Sequence, residues 1–143
     1  MAKKSEKTKS SAVDFDYTTI KSFEDACRKM NVDPTELPEV PKSREDLRKR
    51  IVSDYKLCII FEAINNGWTP DWTNWNQYKY YPWFEVKATK ALSSGFGVSD
   101  SYFYYSGTFT TVGSRLCTDT SDKAKYIAKQ FEQEYQDFLL ITK

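Results

Sequence analysis

The chain has 143 residues, 40% of them hydrophobic and 16% aromatic, which is typical of a packed single domain and excludes a disordered chain. Its 21 basic and 20 acidic side chains leave a net charge of +1, so no overall charge attracts it to nucleic acid or to an anionic membrane. No apolar run approaches the roughly 20 residues that a membrane-spanning helix needs.

The N-terminal residues 1–20 are predicted to be a disordered basic tail, because the first twelve contain four lysines and no periodicity. Such a tail increases solubility or contacts phosphate weakly. Residues 21–143 are predicted to form one domain. Cys27, Cys58 and Cys117 are odd in number and widely spaced, which favours reduced thiols in an intracellular compartment.

Apolar residues at helical spacing predict a first helix over residues 23–30 behind an N-cap at Ser22. A second, longer helix is predicted over residues 44–65. Ser43 and Asp46 would form its capping box, and Gly67 would provide its left-handed end. Its main stripe comprises Leu47, Ile51, Tyr55, Cys58 and Ile59. Further apolar residues widen this stripe, namely Val52, Ile60, Phe61, Ala63 and Ile64. The C-terminal half is therefore apolar on most sides, which predicts the central helix of the fold.

Eight of the seventeen residues in the segment 68–84 are aromatic, and all four tryptophans lie there. Residues 68–77 are rich in Thr, Asn and Asp, and we expect an ordered loop. Residues 78–86 are predicted to be a strand edged by Pro82. Residues 88–97 are predicted to be a flexible loop.

A hairpin is predicted next, with strands at residues 101–105 and 108–112 around Ser106-Gly107 and a continuation through residues 115–117. A last helix begins at caps in residues 119–122. Its stripe comprises Ala124, Ile127, Ala128, Phe131, Tyr135 and Phe138. Together these elements predict an α+β fold, in which a short three-stranded antiparallel sheet packs against the long central helix and the C-terminal helix.

The sequence favours a protein that is not an enzyme and uses neither cofactor nor metal. It has no histidine, the commonest general base and metal ligand. Its cysteines lack the close spacing of zinc or redox motifs. Carboxylate chemistry would still be possible if four acidic side chains converged, namely Asp71, Glu85, Asp100 and Asp119. A small enzyme is therefore the third hypothesis for the function.

The aromatic residues allow two interpretations. In one, Trp68, Trp72, Trp83 and Phe84 close the sheet against the second helix. In the other, rings on the outward face of the strands form a recognition surface, because side chains of a strand alternate between faces. That surface would suit a protein partner or the stacked bases of single-stranded nucleic acid. The candidate binding residues are Trp68, Trp72, Trp75, Tyr78, Lys79, Tyr80, Trp83, Tyr104 and Arg115.

The stretches 55–72, 76–84, 112–117 and 128–132 resemble a family of small uncharacterised proteins from gut Bacteroidetes and their tailed phages, including crAss-like phages. The resemblance covers roughly residues 22–140, and its aromatic signature is distinctive. It implies a phage or mobile-element setting inside a bacterial cell, with virion association as an alternative. It transfers no activity. We therefore expect a phage-type binding module whose partner is a phage or host protein, with single-stranded nucleic acid as the alternative and no membrane contact.

Overall fold

The computed structural model describes residues 14–86, 96–104 and 112–141. Within them lie four α-helices and two strands. The helices are α1 (Phe23–Met30), α2 (Arg48–Asn65), α3 (Ser121–Gln130) and α4 (Glu132–Leu139), and the strands are β1 (Lys79–Val86) and β2 (Phe96–Tyr104). Short 3₁₀ helices cover Tyr17–Thr19 and Lys42–Leu47.

The predicted bounds and cap of α1 are confirmed. The Ser22 hydroxyl accepts a hydrogen bond from the Asp25 backbone N–H at 3.1 Å, and Asn31 ends the helix in the left-handed conformation. Packing against the domain begins before the predicted boundary at residue 21. Ile20 is buried, and Phe15 and Tyr17 pack against the core. Residues 1–13 lie outside the described part of the chain.

Helix α2 is the centre of the core, but it begins later than predicted. Arg44 has a non-helical backbone (φ −128°, ψ 39°), and the expected capping box does not form. Asp46 instead accepts two hydrogen bonds from the Arg44 guanidinium, at 3.0 and 2.9 Å. The C-terminal end is as expected in position, although Asn66 adopts the left-handed conformation (φ 48°) together with Gly67 (φ 87°).

The buried face of α2 is formed mainly by the residues that were predicted to widen the stripe. Leu57, Ile60, Phe61, Ala63 and Ile64 are completely buried. Of the predicted stripe, Leu47 and Ile51 are exposed, and Tyr55, Cys58 and Ile59 lie at the margin of the core. Helices α1 and α4 pack on α2 from two sides, so the continuous apolar character of its C-terminal half reflects two neighbours.

The predicted last helix is divided in two. Phe131 leaves the helical conformation (φ −116°, ψ 35°) and separates α3 from α4. Thr120 caps α3 by accepting a hydrogen bond from the Lys123 backbone N–H at 3.3 Å. The predicted apolar stripe is nevertheless confirmed, since all six of its residues are buried.

The prediction of a three-stranded antiparallel sheet is wrong. In the described residues, β1 pairs only with β2, in an antiparallel ribbon. The expected continuation through residues 115–117 does not form a strand. Residues 112–115 form a turn, in which Gly113 has φ 57°. Thr118 then makes a single bridge to Tyr80, with N–H···O distances of 2.9 and 2.7 Å. Its hydroxyl donates to the Thr120 carbonyl, and the chain turns into α3 instead of extending the ladder.

The second strand also differs from the prediction. Phe96 and Gly97, which were assigned to a loop, belong to β2. The register shifts by one residue between Trp83 and Phe84, because Trp83 pairs with Asp100 and Phe84 with Val98. Ser99 is therefore the extra residue of a β-bulge. The expected second strand of the hairpin falls mostly on residues 108–111, which lie outside the described residues, and Val112 is in a turn.

The ribbon packs mainly on α3, the first part of the predicted C-terminal helix, and not on α2, which was also predicted to cover the sheet. Its link to the core is a series of aromatic contacts. The Phe84 ring of β1 lies 4.5 Å from the Tyr135 ring of α4, and Tyr135 lies 6.5 Å from Phe61 of α2 (centroid distances). This series of rings links the ribbon to the central helix.

Candidate functional site

Three rings form a cluster on the surface of the ribbon: Tyr78, Tyr80 and Phe103, here called the ring cluster. Tyr80 pairs directly with Phe103 across the two strands, and Tyr78 precedes Tyr80 by two residues, which puts all three on one face. Ring centroids lie 4.9 Å apart for Tyr78–Phe103, 5.8 Å for Tyr80–Phe103 and 6.2 Å for Tyr78–Tyr80. Tyr78 is 43% exposed and Phe103 is 44% exposed. The mutual contacts fix an accessible aromatic surface.

Phe103 was not among the predicted site residues, whereas its neighbour Tyr104 was. All of residues 102–105 are aromatic, so the run itself does not show which ring lies on the face of Tyr80. Only the register of β1 with β2 decides it, and it selects Phe103. The backbone of Tyr104 pairs with Lys79, and its side chain lies outside the described residues.

Lys79, predicted to be a cation beside the rings, is buried instead. It alternates with Tyr78 and Tyr80, so its side chain points to the opposite face of β1. Its Nζ donates to the Asn74 carbonyl at 2.9 Å and lies 5.4 Å from the Trp72 ring centroid. The Lys79 ammonium therefore supports the loop before the strand and does not contribute to the accessible surface.

The loop at residues 68–77 is held by its own polar side chains. The Asp71 carboxylate accepts from the N–H and the hydroxyl of Thr73, at 2.9 and 2.6 Å. The Gln77 side-chain carbonyl accepts from the Asp71 N–H at 2.6 Å. These bonds confirm the prediction of an ordered loop. Trp75 of this loop is 67% exposed, and Trp83, which follows the loop in β1, is also exposed.

A second group of predicted residues lines a groove of about 370 Å³ between the end of α2, this loop and the turn at residues 112–115, here called the tryptophan groove. Trp68, Trp72 and Arg115 come together there. The described residues that line it are Glu62, Asn65, Trp68, Thr69, Pro70, Trp72, Ser114 and Arg115. The predicted site residues are thus distributed between the ring cluster, the groove and separate positions in the loop and strand.

Glu62 and Asn65 are polar residues of the groove that the sequence analysis missed. The Asn65 amide nitrogen donates to the Cys117 carbonyl at 2.8 Å, while its buried side-chain oxygen has no hydrogen-bond partner. A Glu62 carboxylate oxygen lies 3.6 Å from an Arg115 guanidinium nitrogen. In the sequence, only their separation by three residues on α2 could have linked Glu62 with Asn65, because such residues lie on the same side of a helix.

Of the four carboxylates considered for catalysis, Asp71 and Asp119 have separate partners, and the side chains of Glu85 and Asp100 lie outside the described residues. Hydrogen bonds from Thr73 lower the pKa of Asp71, and Asp119 pairs with Lys123 at 2.8 Å. Burial raises the pKa of the Cys58 thiol and raises that of Cys117 to about 12, which opposes formation of a nucleophilic thiolate. Within the described residues, no group of side chains is arranged to hold a metal ion, and no helix has the length and apolar character needed to cross a membrane.

Comparison with protein-family models, with curated proteins and with solved structures found no match to the chain. The resemblance to proteins of gut Bacteroidetes and their phages therefore stays a prediction. The function has to be argued from the ring cluster and the tryptophan groove.

Proposed function

We propose that the protein is a non-enzymatic binding module that contacts a protein partner through the ring cluster. The observation that carries this proposal is the exposure of Tyr78 and Phe103 in a ring assembly that is already fixed by the fold. Rings held in place lose little conformational entropy on binding, and tyrosine and tryptophan contribute strongly to protein interfaces. Trp75 is also exposed, in the loop that precedes the ribbon.

The position of Lys79 favours a protein over single-stranded nucleic acid. Nucleic-acid surfaces combine stacking rings with cations that neutralise phosphates. The lysine that lies between Tyr78 and Tyr80 in the sequence is directed inward and bonded to Asn74. The phage-type setting in a bacterial cell is part of the proposal, and it rests on the sequence resemblance.

The test is partner capture from native cells by the wild-type protein and by Tyr78→Ala and Phe103→Ala variants, with nuclease present. We expect both variants to lose the same partner while keeping the wild-type thermal midpoint. Leu37→Ala is the matched control, because Leu37 is similarly exposed at 40% but lies outside the ribbon. Capture that survives both ring substitutions would overturn the proposal.

The nucleic-acid alternative has its own readout. Phosphate contacts make affinity fall steeply with salt, whereas an aromatic protein interface changes little. A fluorescent oligonucleotide titrated at low and moderate salt should show no saturable binding to the wild-type protein. Saturable, strongly salt-dependent binding that the Tyr78→Ala variant loses would replace the protein partner with nucleic acid.

A further inference from the structure

The tryptophan groove has an excess of hydrogen-bond acceptors that lack close donors. Asn65 is fixed in orientation because its amide nitrogen is bonded to the Cys117 carbonyl. Asn65 lines the groove, and its side-chain oxygen is left buried and unpaired. Buried polar atoms in folded proteins are nearly always paired, so this oxygen marks a position that suits a donor from a ligand.

The Glu62 carboxylate is the second acceptor. Its distance of 3.6 Å from the Arg115 nitrogen exceeds the roughly 2.7–2.9 Å of a charge-assisted hydrogen bond. The Arg115 side chain remains 72% exposed, so it is weakly held. The carboxylate thus already faces a guanidinium, but the pair is loose enough to be exchanged.

The walls of the groove suit a planar cation. Trp68, Pro70 and Trp72 supply its apolar surface. Lys79 already lies over the Trp72 ring, which leaves Trp68 as the ring for a further cation. A guanidinium group stacks on an indole, donates two parallel hydrogen bonds to a carboxylate and still has donors left. A lysine ammonium offers the charge without the planar fork.

We infer that the tryptophan groove binds an arginine side chain of the protein partner. Its guanidinium stacks on Trp68, replaces Arg115 at the Glu62 carboxylate and donates to the Asn65 side-chain oxygen. The inference rests on the proposed function, since it gives the partner a specific chemical feature, but it concerns a different surface from the ring cluster.

The test uses three blocked tripeptides, Gly-Arg-Gly, Gly-Lys-Gly and Gly-Gln-Gly, titrated into the full-length protein while tryptophan fluorescence is recorded. We expect saturable binding of the arginine peptide, on the order of tenfold tighter than the lysine peptide because of stacking and bidentate bonding. The glutamine peptide should not bind. Equal responses to the arginine and lysine peptides, or no response to either, would overturn the inference.

Two surface substitutions make the test independent of folding. Glu62→Gln should abolish the preference for arginine over lysine. Arg115→Ala should tighten arginine binding several-fold, because it removes a weak internal competitor for the Glu62 carboxylate. Arg28→Ala is the control, because Arg28 is also an exposed arginine paired with a carboxylate, at Asp25. Arginine binding that Arg115→Ala weakens would show that Arg115 is part of the site and would contradict the exchange.

Failure here is distinguishable from failure of the proposed function. If the peptides do not bind but Tyr78→Ala still abolishes partner capture, only the groove inference is lost. If the peptides bind as expected and the ring variants capture normally, the ring cluster is not the contact surface and the groove inference stands.

Discussion

Large apolar side chains are completely buried around α2 but only partly buried in the aromatic segment at residues 68–84. Leu57, Ile60 and Phe61 of α2 have no accessible surface, because α1 and α4 cover the helix from two sides. In the aromatic segment Tyr81 is buried, but Trp75, Tyr78 and Trp83 are exposed. The ribbon is covered mainly by α3, and one helix is too small to cover every ring.

The comparison indicates that stability and binding depend on different parts of the domain. The free energy of folding comes chiefly from the helical core, where burial of each large apolar side chain contributes about 1.5–3 kcal/mol. The aromatic segment is positioned by polar bonds, such as those of Asp71, Gln77 and Lys79, and keeps rings accessible. Substitutions in the two regions should therefore separate stability from binding.

The largest effect is expected from Ile60→Ala. Ile60 is completely buried, so truncation removes apolar burial and leaves a cavity, at a cost of about 2–5 kcal/mol. Urea unfolding measures the change. Ile51→Ala is the matched control on the same helix, because Ile51 is 36% exposed and should cost under about 1 kcal/mol. Equal losses would mean that Ile60 does not lie on the buried face of α2.

Lys79→Met should have the next largest effect, and it addresses the region held by polar bonds. The substitution keeps the apolar stem but removes the ammonium that donates to the Asn74 carbonyl. We expect a loss of about 1.5–3 kcal/mol and faster proteolysis within residues 68–77. Lys49→Met, at an exposed position on α2, is the control. Unchanged stability and cleavage in the Lys79 variant would show that the loop does not depend on this bond.

The stability of the protein at alkaline pH tests the burial of the Cys117 thiol. The Cys117 backbone carbonyl is bonded to Asn65 at the end of α2. Burial raises the pKa of its thiol to about 12, whereas the unfolded chain has a thiol pKa of about 8.5. The folded protein therefore keeps a proton that the unfolded chain releases. Stability is unaffected below about pH 8.5 and decreases as the pH rises towards 12, by about 1.4 kcal/mol per pH unit for one thiol.

At pH 10 the free energy of unfolding should thus be lower than at pH 7 by roughly 2 kcal/mol from Cys117. Urea unfolding at both pH values measures the difference, and Cys117→Ala should reduce it whatever its effect at pH 7. An identical pH dependence in the variant and the wild type would mean that the Cys117 thiol is not protected by burial.

The smallest effect is expected from Trp75→Ala. This ring is 67% exposed, so its removal should change the free energy of unfolding by no more than about 0.5 kcal/mol. Trp72→Ala provides the contrast, because the Trp72 ring is half-buried and covers Lys79. If Trp75→Ala is the more destabilising of the two in thermal unfolding, the aromatic segment contributes to stability in a way that its exposure does not explain.

Part of the candidate site could be predicted from the sequence. The aromatic run at residues 68–84 and the alternation of strand side chains indicated that some rings would lie outside the core. Tyr78 and Tyr80 were among the candidate binding residues, and their rings lie 6.2 Å apart in the structure. Phe103, Glu62 and Asn65 were not identified, because they enter through the register of β2 and the contact of α2 with the 112–115 turn, which no local pattern contains.

The sequence by itself determined the features that depend on neighbours along the chain. The cap at Ser22, the extent of α1, the loop at residues 68–77 and the apolar stripe from Ala124 to Phe138 all follow from local hydrogen bonding and periodicity. These features are set within one or two helical turns, so a window of the sequence is sufficient to predict them.

Only the tertiary structure decided which face of α2 is buried, where the last helix breaks, how many strands pair and which way Lys79 points. Each of these depends on contacts between residues far apart in the sequence, such as Phe84 with Tyr135 and Tyr80 with Thr118. Helix α2 is apolar on several sides, and β1 is aromatic on both, so their own patterns are compatible with several orientations. Packing selects one of these orientations because it buries the most apolar surface while leaving few buried polar groups unpaired.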